Sequence, residues 1–208
     1  MGLDPITIPT LMGPSPINLA VMARWKPNAP ERLAEAALVL FAERGYEATT
    51  VAEIAERAGL TKSTFFRYFA DKREVLFGGL TMDHLLTTGI ATAPPGAAPL
   101  EAVANAFELL GRDVFSSDRR EFSHRRRAVI AANPELQERE ALKGLRISSA
   151  MVEALERRGV PAMTARVAAQ IASLSLTIAY TQWSDGTGDF GDLARRTLTE
   201  VRAALAGC

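Results

Sequence analysis

Apolar residues recur along most of the chain at the three- and four-residue spacing of amphipathic helices, and alternating strand-like runs are nearly absent. The first such segment begins at Pro30 and ends at Gly45, because proline suits the first turn of a helix and glycine suits its end. Its apolar positions are Leu33, Ala36, Ala37, Leu40 and Phe41. The whole pattern predicts an all-α protein of about nine helices.

Two short helices joined by a tight turn are predicted next. Thr50 and Glu53 have the spacing of a capping box, in which each side chain accepts a hydrogen bond from the other residue's amide. The helix that they open covers about 51–58, and Gly59 ends it. Thr61 is placed to cap a third helix only two residues later. This arrangement is typical of a helix-turn-helix.

The remaining chain is predicted to be helical between proline and glycine breaks. One helix is expected from Asp71 to about Thr92, with Gly78 and Gly79 as a soft point, and Ala93–Pro99 interrupts the chain. Later helices are expected over 100–116, 118–132, 134–158, 161–185 and 189–206. Five prolines before residue 30 exclude a continuous helix there. The predicted division is a flexible arm over 1–29, a head over 30–76 and a body over 77–208.

Composition excludes few functions by itself. Lys plus Arg and Asp plus Glu both number 24, but a nucleic-acid-binding protein needs only a local basic patch. Cys208 is the one cysteine, and neither it nor His84 and His124 has metal-ligand spacing. No nucleophile–base–acid set or glycine-rich phosphate loop is present. We therefore expect no enzyme activity, no cofactor, no metal, no membrane segment and a reducing, cytoplasmic location.

The third helix has two different faces on a helical wheel. Phe65 and Phe69 fall on one side and should pack against the first helix. The outward side carries Lys62, Ser63, Phe66 and Arg67. Cations and hydroxyls on a short helix suit the major groove of DNA, since they can bind phosphates and base edges. The same residues are also compatible with an ordinary solvated surface.

Residues 32–76 resemble the N-terminal domain of the TetR family of bacterial transcriptional regulators. The resemblance rests on the runs FAERGYEATTVAEIA and AGLTKST and on an aromatic helix that ends in Phe69 and is followed by Lys72. It implies that Thr50 and Lys72 contact phosphate and that Lys62, Ser63 and Thr64 begin a recognition helix. The full DNA-binding set expected is Thr50, Thr61, Lys62, Ser63, Thr64, Phe66, Arg67, Tyr68 and Lys72.

Two residues depart from the family pattern. Phe66 stands where tyrosine is usual and lacks its hydroxyl, and Tyr68 stands where histidine is common. The details of backbone contact therefore differ from the family's, and Tyr68 or Arg67 is available to replace the missing hydrogen bond.

In proteins that resemble this one, the C-terminal helices bind a small molecule and form a dimer. The segment 161–185 is apolar almost all round, and 189–206 carries an apolar stripe, so both suit a twofold four-helix interface. The expected interface residues are Ile171, Leu174, Ser175, Ile178, Leu198, Val201 and Leu205. The alternative is that both helices only complete the monomer core.

A ligand pocket is expected among the middle helices, with an apolar wall and a few polar groups. The candidates are Leu80, His84, Thr88, Phe107, Leu110, Phe122, Arg126, Ile130, Ser148, Val152, Tyr180 and Trp183. Each ring of this kind is more often a core residue than part of a ligand wall. The run Arg125–Arg127 is most often a solvated surface, although one of the three could bind an anion.

The sequence thus predicts a homodimeric, sequence-specific DNA-binding transcriptional regulator. Repression is the expected mode, with release from a palindromic double-stranded operator by a small-molecule ligand. The alternative is an all-helical interaction protein that keeps the head but has lost specific DNA binding, a possibility raised by Phe66. The ligand, the operator and the regulated genes are not specified by the sequence.

Overall fold

The computed structural model describes residues 28–77 and 82–207, and these residues form nine α-helices without a strand. The predicted all-α class is therefore confirmed. The helices are α1 Ala29–Arg44, α2 Val51–Arg57, α3 Lys62–Tyr68, α4 Met82–Ala91, α5 Pro99–Asp113, α6 Arg120–Ala131, α7 Pro134–Arg157, α8 Ala162–Asp185 and α9 Phe190–Ala206. Two 3₁₀ turns, Arg73–Leu76 and Ser117–Arg119, connect them.

The predicted helix from Asp71 to Thr92 is wrong at its start. The Asp71 carboxylate accepts hydrogen bonds from the amides of Arg73 and Glu74, at 2.8 and 3.1 Å, and this favours a tight 3₁₀ turn. Phe77 follows in a turn, and α4 covers Met82–Ala91. The predictions for Gly78, Gly79 and Leu80, and those for the arm up to residue 27, lie outside the described residues.

The head is held by local caps, as its sequence predicts. Thr50 and Glu53 form both hydrogen bonds of the capping box, and the Thr61 hydroxyl accepts from the Thr64 amide at 3.1 Å. Asn28 caps α1 by accepting from the Glu31 amide. These caps satisfy amides that a helix start would otherwise leave unpaired.

Gly59 makes the turn between α2 and α3. Its φ of +64° lies in the left-handed region, and the Gly59 and Leu60 amides donate back to the carbonyls of Glu56 and Ala55. The Arg32 guanidinium donates to the Ala58 carbonyl at the same place, so α1 and the end of α2 are joined. A Cβ at Gly59 would lie 2.9 Å from Arg32 Nη2.

Two apolar clusters form the core. One lies among α4, α5, α7, α8 and α9, around residues such as Phe107, Trp183 and Phe190. The other contains the head residues and continues into the body through Val129, Ile130 and Leu136. The boundary at 76/77 remains a prediction, but the packing of apolar side chains does not stop there.

The helix α8 is long and apolar enough to cross a membrane by length and composition alone. It packs against α7 and α9, and its residues Ala165, Ala169, Ala172, Ala179 and Trp183 are fully buried. These contacts are those of a core helix.

We expect Gly59→Ala to lower the free energy of unfolding by about 1–2 kcal/mol, because alanine is strained at positive φ and its Cβ displaces Arg32. Gly144→Ala is the matched control. Gly144 lies inside α7 with no atom near an added Cβ, so alanine should stabilise by about 0.5–1 kcal/mol. Urea unfolding followed by circular dichroism measures both, and equal effects of the two changes would contradict the role given to Gly59.

Candidate functional site

The helix α3 presents its polar face to solvent and its aromatic face to the core. Phe65 and Phe69 are buried against α1 and α2, which confirms the packing predicted for them. Phe66 and Tyr68 are 49% and 43% exposed. Thr61, Lys62, Ser63 and Arg67 are also exposed, so the predicted outward residues share one surface.

Charges on this surface differ from those on the rest of the head. Arg44 pairs with Glu53 at 3.0 Å, and Arg57 pairs with Glu43 at 3.1 Å. Among the described residues, neither Lys62 nor Arg67 has a carboxylate within ion-pairing distance, and α3 itself contains no acidic residue. Two uncompensated cations at one surface create a local positive potential despite the neutral chain.

The exposed aromatic rings hold these two cations in place. The Lys62 ammonium lies 5.9 Å from the centre of the Phe66 ring, and the Arg67 guanidinium lies 4.9 Å from that of Tyr68. Arg67 also donates to the Tyr68 hydroxyl at 3.3 Å. Cation–π contacts of this kind restrict long side chains without neutralising their charge.

The threonine hydroxyls predicted to contact DNA are engaged in caps. Thr50 donates to the Glu53 carboxylate through both its amide and its hydroxyl, each at 2.8 Å. These hydrogen bonds hold the pKa of Glu53 below its ordinary value. The hydroxyls of Thr61 and Thr64 bond to each other at 2.9 Å. A phosphate at Thr50 would therefore have to share or replace the bonds of Glu53.

Lys72 is directed at the first loop of the head. Its ammonium donates to the Tyr46 carbonyl at 2.8 Å and lies 4.0 Å from the centre of the Tyr46 ring. Tyr46 is buried, and this burial is the main cause that raises the pKa of its phenol. Lys72 thus fixes the loop before α2, and its remaining ammonium hydrogens are available to another acceptor.

Residues 33–78 match the family model described as "Bacterial regulatory proteins, tetR family". This N-terminal part of the chain is thus similar to the TetR family. It is 40% identical over 84 residues to the transcriptional regulator TcmR of Streptomyces glaucescens, a match that covers 39% of this chain and 37% of TcmR. It is 35% identical over 71 residues to the transcriptional repressor KstR of Rhodococcus jostii, covering 34% of each. These matches span about a third of the length of the relatives.

The fold of this chain also resembles that of solved regulators. The complex of SmeT with triclosan superposes with a TM-score of 0.53 over 86% of this chain and 91% of that one, at 18% identity. SmeT is described as the repressor of a Stenotrophomonas maltophilia multidrug efflux pump. At this identity the likeness establishes the fold alone.

The body of the chain contains a cavity of about 570 Å³ that is partly open to solvent. Four of the predicted ligand residues line it, namely Phe122, Arg126, Ile130 and Tyr180. Sequence reasoning missed Phe77, Phe115, Glu140, Lys143 and Thr177, which also line it. Glu140, Lys143 and Ile147 follow the three- and four-residue spacing on one face of α7, a periodicity that could have indicated them.

The other predicted ligand residues lie elsewhere. Phe107, Leu110 and Trp183 are fully buried in the body core, and Val152 packs against it. Ser148 is buried and accepts from Gln170, while His84 is exposed on α4. Thr88 is partly buried away from the cavity, and Leu80 is outside the described residues. Apolar periodicity identified these residues as interior, but it does not distinguish core from cavity wall.

The prediction of a solvated arginine run is wrong for Arg126, which is only 8% exposed. Its Nε donates to the Leu76 carbonyl at 2.8 Å, and its terminal nitrogens bind the Glu140 carboxylate of α7. The guanidinium also lies 4.9 Å from the centre of the Phe77 ring. Burial alone would raise the pKa of Glu140, but the Arg126 cation outweighs it and lowers that pKa.

The two neighbouring arginines bind other elements. Arg125 pairs with Glu35 of α1 at 2.6 Å, and Arg127 pairs with Asp185 of α8 at 2.6 Å. The run therefore joins head, α7 and α8 through three side chains that point in different directions.

The end of the body carries an exposed apolar stripe on α8 and α9. Leu174 and Leu205 are exposed, and Ile171, Ile178 and Val201 are partly exposed. Two of the predicted interface residues are misplaced, because Ser175 and Leu198 are buried within the chain, and the Ser175 hydroxyl donates to the Ile171 carbonyl. Met163 and Val167 extend the stripe and were missed, although they continue its four-residue spacing.

We expect Arg126→Met to lower the free energy of unfolding by about 1–3 kcal/mol, because the Leu76 carbonyl loses its donor and Glu140 loses its partner. Arg125→Met is the control, and its partly exposed pair should contribute less than about 1 kcal/mol. Equal losses in urea unfolding would show that Arg126 is an ordinary surface arginine.

Proposed function

We propose that this chain is a homodimeric transcriptional regulator that binds DNA through α3 and responds to a small molecule held in its body. The observation that carries the proposal is the outward face of α3, where Lys62 and Arg67 lack carboxylate partners within the described residues. A short, capped helix with exposed hydroxyls and with cations that lack carboxylate partners fits the major groove.

The relatives support the same function. TcmR is named as a transcriptional regulator, and KstR as a repressor. SmeT, which shares the fold, forms a complex with triclosan. By analogy we assign repression, release by ligand, a cytoplasmic location and no catalytic activity to this chain.

The contacts between head and cavity supply a physical route for the response. Arg126 lines the cavity and also binds the Leu76 carbonyl at the end of the head. A ligand changes the affinity for DNA only through its different affinity for two head arrangements, and Arg126 is placed to make that difference.

The alternative is an all-helical interaction protein that keeps the head without specific DNA binding. Phe66 favours this alternative, because it offers no hydroxyl to a phosphate. The uncompensated cations favour DNA, since an interaction surface needs no such positive potential.

Selection from a random duplex library should recover a palindromic site whose half-sites are about one or a small whole number of helical turns apart, because a twofold dimer presents two recognition helices. Lys62→Gln and Arg67→Gln should each weaken binding and reduce the dependence of log K on log salt by about one. Arg157→Gln, at an exposed site on α7, controls for net charge and should change neither. Absence of a consensus, with the same salt dependence in all variants, would support the interaction protein.

The dimer is proposed to form through the stripe on α8 and α9. We expect Leu174→Glu to give monomers in sedimentation velocity, because it places a charge in an apolar interface. Leu142→Glu is a matched control, since Leu142 lies on α7 and is 50% exposed against 52% for Leu174. If the dimer persists in Leu174→Glu, or is lost only in the control variant, the interface does not include this stripe.

A further inference from the structure

Charges around the cavity are unbalanced. Among the described residues that line it, Arg119, Arg126 and Lys143 are cations, and Glu140 is the single carboxylate. Arg119 pairs with Glu31 of α1 at 2.5 Å, and Arg126 pairs with Glu140 at 2.8 Å. Lys143 has neither an ion pair nor a hydrogen bond to another of the described residues, and residues 78–81 of the sequence include no acid.

The charged groups that face Lys143 come from three helices. Arg126 lies on α6, Glu140 and Arg139 on α7, and Asp83 on α4. Glu140 already binds Arg126, while Arg139 binds Glu74 and Asp83 lies 3.7 Å from Arg146. Burial, followed by the adjacent Arg126 cation, lowers the pKa of Lys143 to about 8. At pH 7 the ammonium is therefore still charged, but no carboxylate of the described residues lies within ion-pairing distance of it.

The rest of the cavity is mostly apolar. Its wall includes Leu76, Phe77, Met82, Phe115, Ile147 and Leu176. Hydroxyl and amide groups such as those of Ser173, Thr177 and Gln137 are interspersed. A ligand that fills this space must therefore bury an apolar body, while the lysine favours a negative head group.

We propose that the cavity binds an organic anion, with one carboxylate or comparable head group on an apolar body and the Lys143 ammonium as its counter-charge. The inference rests on the proposed function, because it names the chemical class of the effector. The negative charge of the bound anion would pair with the Lys143 ammonium, because the Glu140 carboxylate is already paired with Arg126.

This position also connects the ligand to the head. An anion at Lys143 lies next to Arg126 and competes with Glu140 for the guanidinium. Leu76 is the last residue of the 3₁₀ turn that ends the head. Any shift of Arg126 therefore changes the hydrogen bond between its guanidinium and the Leu76 carbonyl. The head group of the effector therefore acts on the contact that joins the two parts of the chain.

The test compares each acid with its own uncharged amide. 4-Butylbenzoate and 4-butylbenzamide form one pair, and decanoate and decanamide form a second pair with a different shape. Calorimetric titration of the full chain at pH 7 should show at least one acid bound about tenfold or more tightly than its amide. Failure of both acids to bind more tightly than their amides overturns the inference.

Two further measurements assign the preference to Lys143. Lys143→Gln should remove the preference for the acid over its amide. Arg146→Gln, at an exposed position about one turn further along α7, should leave that preference unchanged. The preference should also weaken by about tenfold or more at pH 9.5, because a lysine with a pKa near 8 is mostly neutral in the empty cavity and must gain a proton when the anion binds. A preference that survives Lys143→Gln, or that is unchanged at pH 9.5, places the counter-charge elsewhere and also overturns the inference.

The outcome is separable from that of the proposed function. If the chain binds the acids more tightly than the amides but selects no duplex, the proposed ligand class stands and the proposed regulator function is wrong. If the chain selects a palindrome but binds acids and amides equally, the proposed regulator function stands and the proposed ligand class is wrong.

Discussion

The burial of the Arg126 guanidinium is the constraint that ties the parts of this chain together. A cation removed from water must be paired and hydrogen-bonded, and Arg126 finds its partners in three elements at once. The Leu76 carbonyl belongs to the end of the head, Glu140 to α7, and the Phe77 ring to the turn between head and body. These partners are separated by up to 64 positions in the sequence, so this one side chain joins distant parts of the chain.

The head depends on a different kind of interaction, in which short-range hydrogen bonds leave selected charges free. The capping box at Thr50, the cap at Thr61 and the glycine turn at Gly59 fix α2 and α3 with little help from the body. Ion pairs neutralise Arg44 and Arg57. The positive potential is therefore concentrated on α3, the helix that is proposed to contact the DNA backbone.

One helix, α8, contributes to the core, to the cavity wall and to the exposed stripe. Its alanines and Trp183 pack inside, Leu176, Thr177 and Tyr180 line the cavity, and Val167 and Leu174 face outward. This threefold role explains why its sequence is apolar almost all round. It also brings the proposed ligand site and the proposed dimer interface within the width of a single helix.

The sequence by itself determined the helices, their caps and the two faces of α3, because these depend on periodicity and on hydrogen bonds between residues that are close in the sequence. Fixed local spacings such as those around Gly59 also carry the resemblance of the N-terminal segment to the TetR family. Only the tertiary structure decided which interior residues form a core and which line a cavity, and it placed Ser175 and Leu198 inside. It likewise buried Arg126 between polar neighbours and left Lys143 without a partner in the described residues, because such pairings depend on residues distant in sequence.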